Sequence, residues 1–350
     1  MNPPWINGRR WDLTWLVGSA LVVPVGLLFV WGGASADAVN LAVTALVGGP
    51  HVFSTFLVTY FDPRFRRANR AVLVAIALLV PAAVVALTLT NYQGLVSFFV
   101  FAASIHVLQQ NAYLTDVYRR RGGTPDPAWS RLLDYGVLFL SFYPIASYKL
   151  VRGDFMLGDV RVLIPSFTKF PETYWTVSSA FAAVLGGWLV KTAREARRGF
   201  LNAPKTILIG VTTTVAFLIP CAEKGERLEL AFQAVNMWHS IQYLAIVWLV
   251  LKIRKERGLP GSAWVGRVSG SGRAAWAFYG LCFAFTLALL GGILMLVRAN
   301  PLGLAPMQYY YMAVLSALFI HYTLDGYLFF AAGREEARPD ATPLAAPSGG

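Results

Sequence analysis

The chain has 350 residues, 56% of them hydrophobic and only 14% charged, where a soluble domain carries roughly 25% charged residues. With 11 Trp, 15 Tyr and 23 Phe it is too apolar for a disordered protein and ill-suited to a soluble enzyme. The net charge of +12 is distributed as short basic clusters between long apolar runs, which argues against nucleic acid as a partner and marks a polytopic membrane protein.

Runs long enough to cross roughly 30 Å of hydrocarbon fall at 13–31, 38–60, 71–90, 94–117, 132–151, 173–191, 205–222, 228–251, 274–298 and 307–332. They predict an all-α fold, an integral membrane helical bundle of about ten transmembrane helices forming a single domain over 1–332. Pro81 splits the third run, and a membrane helix tolerates it as a kink. The connections alternate in charge. Arg9 and Arg10 precede the first run, whereas the next connection, around Asp37, has no Lys or Arg. Arg64, Arg66, Arg67 and Arg70 follow the second run, and Asn91–Gln93 is uncharged. Basic clusters recur at Arg119–Arg121 with Arg131, at Lys191–Lys205 and at Lys252–Arg273, while 152–172 and 223–229 are mixed or slightly acidic. By the positive-inside rule both termini are cytoplasmic.

Arg9-Arg10, an apolar run and Ala34-Ser35-Ala36 also follow the layout of a signal peptide, but the length of the run and Trp15 favour a retained helix. The tail 333–350, rich in Ala, Pro and Gly, is expected to be a disordered cytoplasmic extension. The loop 152–172, with Phe155, Met156, Leu163, Ile164 and Phe167, reads either as an amphipathic lid on the outer surface or as an ordinary connector. Cys221 and Cys282 lie in apolar stretches without CxxC spacing, so neither a disulfide framework nor a zinc site is indicated.

The four histidines, His51, His106, His239 and His321, all lie deep in apolar runs, where an ionisable side chain is costly and marks a functional position by default. They occupy the second, fourth, eighth and tenth runs, whose helices all descend from outside to inside. Each lies about ten to fourteen residues from the outer end, so at 1.5 Å per residue they share a layer roughly 6 Å thick. Polar residues follow one turn on: Ser54 and Thr55 after His51, Gln109 and Gln110 after His106, Gln242 after His239, Asp325 after His321. Positions three and four apart share a helix face. A ligating imidazole is usually held in one tautomer by a bond from its second nitrogen to such a group. Gln110, Gln242, Asp325, Thr55 and Tyr243 are therefore expected behind the rings, with Asn111, Asn236, Tyr113 and Tyr322 extending that layer or meeting a substrate. Neutral imidazoles suit Fe, Cu or Zn; four of them without carboxylate or thiolate point to iron or copper. No two histidines lie within one helix turn, so the boxes of membrane desaturases are absent.

Other polar residues carry weaker signals. Asp62, Asp116 and Asp134 are expected to be snorkelling carboxylates at cytoplasmic helix ends, and Asp12 and Trp11 to lie at the inner interface. Glu226 and Glu229 are expected to be solvated near the outer end of the eighth run. Thr212, Thr213 and Thr214 are expected to bond back to their own helix, and Tyr309, Tyr310 and Tyr311 to form an outer interfacial belt.

The stretches PHVFSTFLVTYFDP (50–63), HVLQQNAY (106–113), NMWHSIQY (236–243) and HYTLDGYL (321–328) resemble those of uncharacterised polytopic bacterial membrane proteins, which places the chain in a bacterial inner membrane. In kind, scattered intramembrane histidines around a presumed iron are similar to the Brp/Blh-type carotenoid dioxygenases, which cleave β-carotene to retinal. No site residue is carried over from that likeness.

The leading expectation is an integral-membrane metalloenzyme, a non-haem oxygenase using O₂ to oxidise an apolar lipid or isoprenoid among membrane lipids, with no redox partner identified by the sequence. A b-type haem protein with histidines as axial ligands and a quinone site is the alternative, although paired haems would stack at different depths. A transporter is the third, although matching Gly/Pro-broken helices in two halves are not evident.

Overall fold

The structure, a computed structural model, describes residues 4–123, 127–152, 155–157, 160–222, 228–259 and 261–328. The expected tail at 333–350 lies outside these residues. Among them the chain is all-helical apart from two short strands, Met156–Leu157 and Val160–Arg161, paired antiparallel. Helices are what the composition demands: in an apolar surround, a helix satisfies its backbone N–H and C=O groups internally. Five of them are long and apolar enough to cross a membrane: Leu41–Val58, Arg70–Thr90, Tyr92–Gly122, Pro171–Arg197 and Arg273–Ala299. In three, Arg70–Thr90, Pro171–Arg197 and Arg273–Ala299, only 17% of the most apolar window is buried inside the protein. Side chains such as Leu79 and Met295 face outward, an arrangement suited to lipid and costly in water. The Arg70–Thr90 helix runs through Pro81 without interruption.

The chain divides into two compact units. The first comprises described residues within 4–36 and 104–239. Here the Pro171–Arg197 helix packs against Ala128–Leu140 and Tyr143–Arg152, and Ala203–Ala222 packs against Ala128–Leu140. Val137, Leu138, Trp188 and Ile209 form a buried cluster. The run 132–151, expected as one span, is two helices broken at Ser141–Phe142. Pro144 explains the break, because it lacks an N–H and disfavours helical conformation in the residue before it. Thr212 and Thr214 bond back to the carbonyls of Leu208 and Gly210 at 2.8 and 2.9 Å, as expected. In the connector before the Pro171–Arg197 helix, the Val162 N–H bonds to the Phe155 carbonyl at 2.8 Å. Phe155, Leu157, Val160 and Val162 are buried and Met156, Leu163 and Phe167 exposed.

Two carboxylates of this unit correct the sequence reading. Asp134 does not snorkel; it is fully buried. Lys191 Nζ lies 2.5 Å from its Oδ1, and Lys205 Nζ and Arg119 Nη2 lie 2.9 and 3.2 Å from its Oδ2. The Trp188 indole N–H also donates to it, at 3.0 Å. Asp116 pairs with Arg119 and accepts from the Tyr135 hydroxyl at 2.6 Å. Asp12 is likewise buried. It accepts from the Ile6 and Asn7 N–H groups at 2.7 and 3.0 Å and from the Tyr118 hydroxyl at 2.8 Å.

The second unit comprises described residues within 37–103 and 240–328. Pro306–Gly326 lies against Arg70–Thr90 and Gly49–Val58, and Arg273–Ala299 against Gly49–Val58. Leu57, Val58, Tyr243, Val247, Leu251, Val265, Phe278 and Cys282 form its main buried cluster, and Cys282 is a free thiol. Asp62 also departs from the snorkelling expectation. It caps the short Pro63–Ala68 helix through the Arg64 and Phe65 N–H groups and pairs with Arg254 at 2.9 Å. Tyr309 and Tyr311 are buried, so the tyrosine run is not simply an interfacial belt. The Tyr309 hydroxyl bonds to Asn300 Oδ1 at 2.9 Å and accepts from the Leu302 N–H at 2.8 Å. It thereby fastens the turn in which Asn300, at φ 42°, ends the preceding helix.

Candidate metal centre

His51 follows a local distortion of its helix. A π-helical turn over Thr44–Gly48 leads into the Gly49–Val58 helix, with Pro50 in its first turn. Proline brings no N–H for the carbonyl four residues back and crowds it sterically. That carbonyl, of Leu46, accepts from the Tyr279 hydroxyl at 2.7 Å, so the group freed by Pro50 is satisfied by a neighbouring helix. Gly49 allows that helix close: a Cβ there would meet Thr286 Cγ2 at 2.2 Å. Widened turns of this kind recur at functional positions, and here one immediately precedes the histidine.

His51 and His321 are buried and stand edge to face, with ring centroids 4.3 Å apart and planes at 87°. Tyr243 is edge-on to both, at 4.8 and 5.2 Å. Behind His321 the expected partner is Asp325, which lies one turn on in the same helix. Its Oδ1 is 3.5 Å from His321 Nδ1, beyond a good hydrogen bond. The close partner is Thr55, whose Oγ1 is 2.7 Å from Nδ1. Thr55 lies 2.7 Å from the Tyr243 hydroxyl and 3.3 Å from Asp325 Oδ1, and the Tyr243 hydroxyl donates to Asp325 at 2.5 Å. Three residues singled out from the sequence, Thr55, Tyr243 and Asp325, therefore form one buried network against His321. Ser54, the other residue after His51, bonds instead to the His51 carbonyl at 2.6 Å. Ser240, absent from the sequence-based set, lies 3.3 Å from His51 Nδ1; it comes from a different helix, and local spacing holds no signal for it.

His106 and His239 are also buried and edge to face, at 4.9 Å and 83°. Gln110, expected behind His106, donates from Nε2 to the main-chain carbonyl of His239 at 3.2 Å. It thus braces the histidine-bearing backbone of a second helix. Asn111 continues this layer, accepting from Thr212 at 3.2 Å and donating to the Val107 carbonyl at 3.0 Å. Gln242 is fully buried one turn beyond His239.

Each unit thus contributes one pair of buried imidazoles, His106 with His239 in the first and His51 with His321 in the second. Neutral imidazoles are ligands for Fe, Cu or Zn. No protein-family model, curated protein or solved structure matches the chain.

Proposed function

We propose that this chain is a multi-pass protein of a bacterial inner membrane, with ten spans and both termini cytoplasmic, whose four histidines hold one non-haem iron or copper ion. The observation that carries the reading is that all four histidines are buried and stand in edge-to-face pairs, His51 with His321 and His106 with His239, on the apolar runs that the sequence places at one depth. Neutral imidazole suits these metals, and the set lacks the thiolates that draw zinc into structural sites. The proposed reaction is an O₂-dependent oxidation of an apolar lipid or isoprenoid. When bound, the metal would supply O₂ activation, and the chain would supply orientation and a dry surround. Histidines carried on apolar helices support this reading, since a hydrophobic substrate can arrive there laterally and water is scarce.

Metal analysis and an optical spectrum of the detergent-purified protein test the proposal. The expected result is one iron or copper per chain, no Soret band, and loss of the metal in each single His→Ala variant. A Soret band, or no stoichiometric metal after loading with Fe(II) or Cu(II), would overturn it.

A further inference from the structure

We infer that Thr55 is the positioning residue of this centre: its hydroxyl oxygen accepts a hydrogen bond from His321 Nδ1–H and leaves Nε2 as the nitrogen presented to the metal. The inference rests on the four-histidine reading above, and a count of hydrogens carries it. Asp325 Oδ1 accepts the Tyr243 hydroxyl hydrogen across 2.5 Å. Thr55 owns a single hydroxyl hydrogen, and its Oγ1 is 2.7 Å from the Tyr243 oxygen, 3.3 Å from Asp325 Oδ1 and 2.7 Å from His321 Nδ1. If that hydrogen pointed at His321, the Thr55 and Tyr243 oxygens would face each other at 2.7 Å with no hydrogen between them. Pointed at Tyr243, it removes that conflict and turns a Thr55 lone pair toward His321. Nδ1 must then bring the hydrogen, and a neutral imidazole protonated on Nδ1 has its free lone pair on Nε2.

Tyr243 completes the device. Its hydroxyl occupies the Asp325 oxygen and lies beside Thr55, while its ring stands edge-on to His51 and His321. One side chain therefore sets both the hydrogen-bond direction and the orientation of the imidazoles. Holding a ligand ring in one tautomer is the general task of groups behind a metal site. Here a threonine from a neighbouring helix performs it, with the aspartate one step further back.

The test uses the full chain in detergent. Loaded with Cu(II), pulsed EPR reads the quadrupole couplings of the non-coordinated imidazole nitrogens. Thr55→Val, which keeps shape and removes the hydroxyl, should weaken Cu(II) binding by about 10–100-fold and change the coupling of one remote nitrogen. Thr55→Ser should retain both properties. Nitrogen NMR of the wild-type Zn(II) form, with the His321 signals identified by their loss in His321→Gln, should show a protonated Nδ1; this measurement does not depend on the valine variant folding. An unprotonated or metal-bound His321 Nδ1, or a folded Thr55→Val chain with unchanged affinity and couplings, overturns the inference while leaving the four-histidine centre intact. A wild-type chain that binds none of these ions overturns both.

Discussion

Asp134 meets three cations, and both lysines among them are almost completely shielded: the side chains of Lys191 and Lys205 are 2% and 5% exposed. Desolvating such groups costs several kcal/mol each, recovered only while the carboxylate stays in place with its hydrogen bonds made. Asp134→Ala should therefore destabilise the protein by about 3–5 kcal/mol, measured by denaturant unfolding in mixed micelles. Asp134→Leu combined with Lys191→Met should recover part of that loss, since it removes one of the stranded charges. An alanine variant as stable as wild type would show the cluster to be hydrated. The sequence suggests none of this, because the partners lie 57 and 71 residues from Asp134 and a lone carboxylate near a basic helix end resembles any solvated charge. The same limit applies at the histidines. Their burial is legible from their depth in apolar runs, and Thr55, Tyr243 and Asp325 from their placement one turn on. The actual pairing is not, because spacing along one helix cannot report that Thr55 reaches across to His321.

The distorted entry into the Gly49–Val58 helix shows how an element is shaped by its neighbours. Pro50 frees a carbonyl, Tyr279 takes it up, and Gly49 admits Thr286 at a distance no Cβ tolerates. Small residues at such crossings let membrane helices approach closely and gain van der Waals contact and interhelical hydrogen bonds. Gly49→Ala should push the Arg273–Ala299 helix away and cost about 1–3 kcal/mol, the usual range for overpacking. Because His51 is two residues on, metal affinity should fall with stability. Thr286→Ala added to Gly49→Ala should restore part of both, since it removes the two nearest clashing atoms and leaves Cβ at 2.9 Å. Full stability of the single variant, measured by thermal unfolding of the detergent-solubilised chain, would contradict the close crossing. The existence and length of the helices follow from apolar runs and are largely legible in the sequence. Their interruptions are less so. The break at Ser141–Phe142 has a cue in Pro144, whereas the π-helical turn before Pro50 depends on a tyrosine far along the chain.

Across the whole molecule, five helices carry the length and hydropathy needed to cross a bilayer, and the alternating basic clusters orient the proposed ten. Single cysteines placed at the exposed positions Ala34 and Arg120, in a chain lacking Cys221 and Cys282, provide the check. An impermeant thiol reagent added to intact cells should label position 34 and spare position 120, and the reverse pattern would invert the orientation. Fold class is legible at this scale because it is set by hydrophobic periodicity over long distances. The histidines are also widely spaced in the chain, no two closer than 55 residues, and each is carried on a different helix. That spacing has a consequence for biosynthesis. As the chain is threaded into the membrane, His51, His106 and His239 arrive well before the helix bearing His321, and no nascent segment contains a complete ligand set. A three-imidazole intermediate would hold metal more weakly than the finished centre and leave a coordination position open. If the proposed centre forms, its metal would enter after the Pro306–Gly326 helix has been inserted, as a closing step of maturation rather than a nucleus around which the bundle forms.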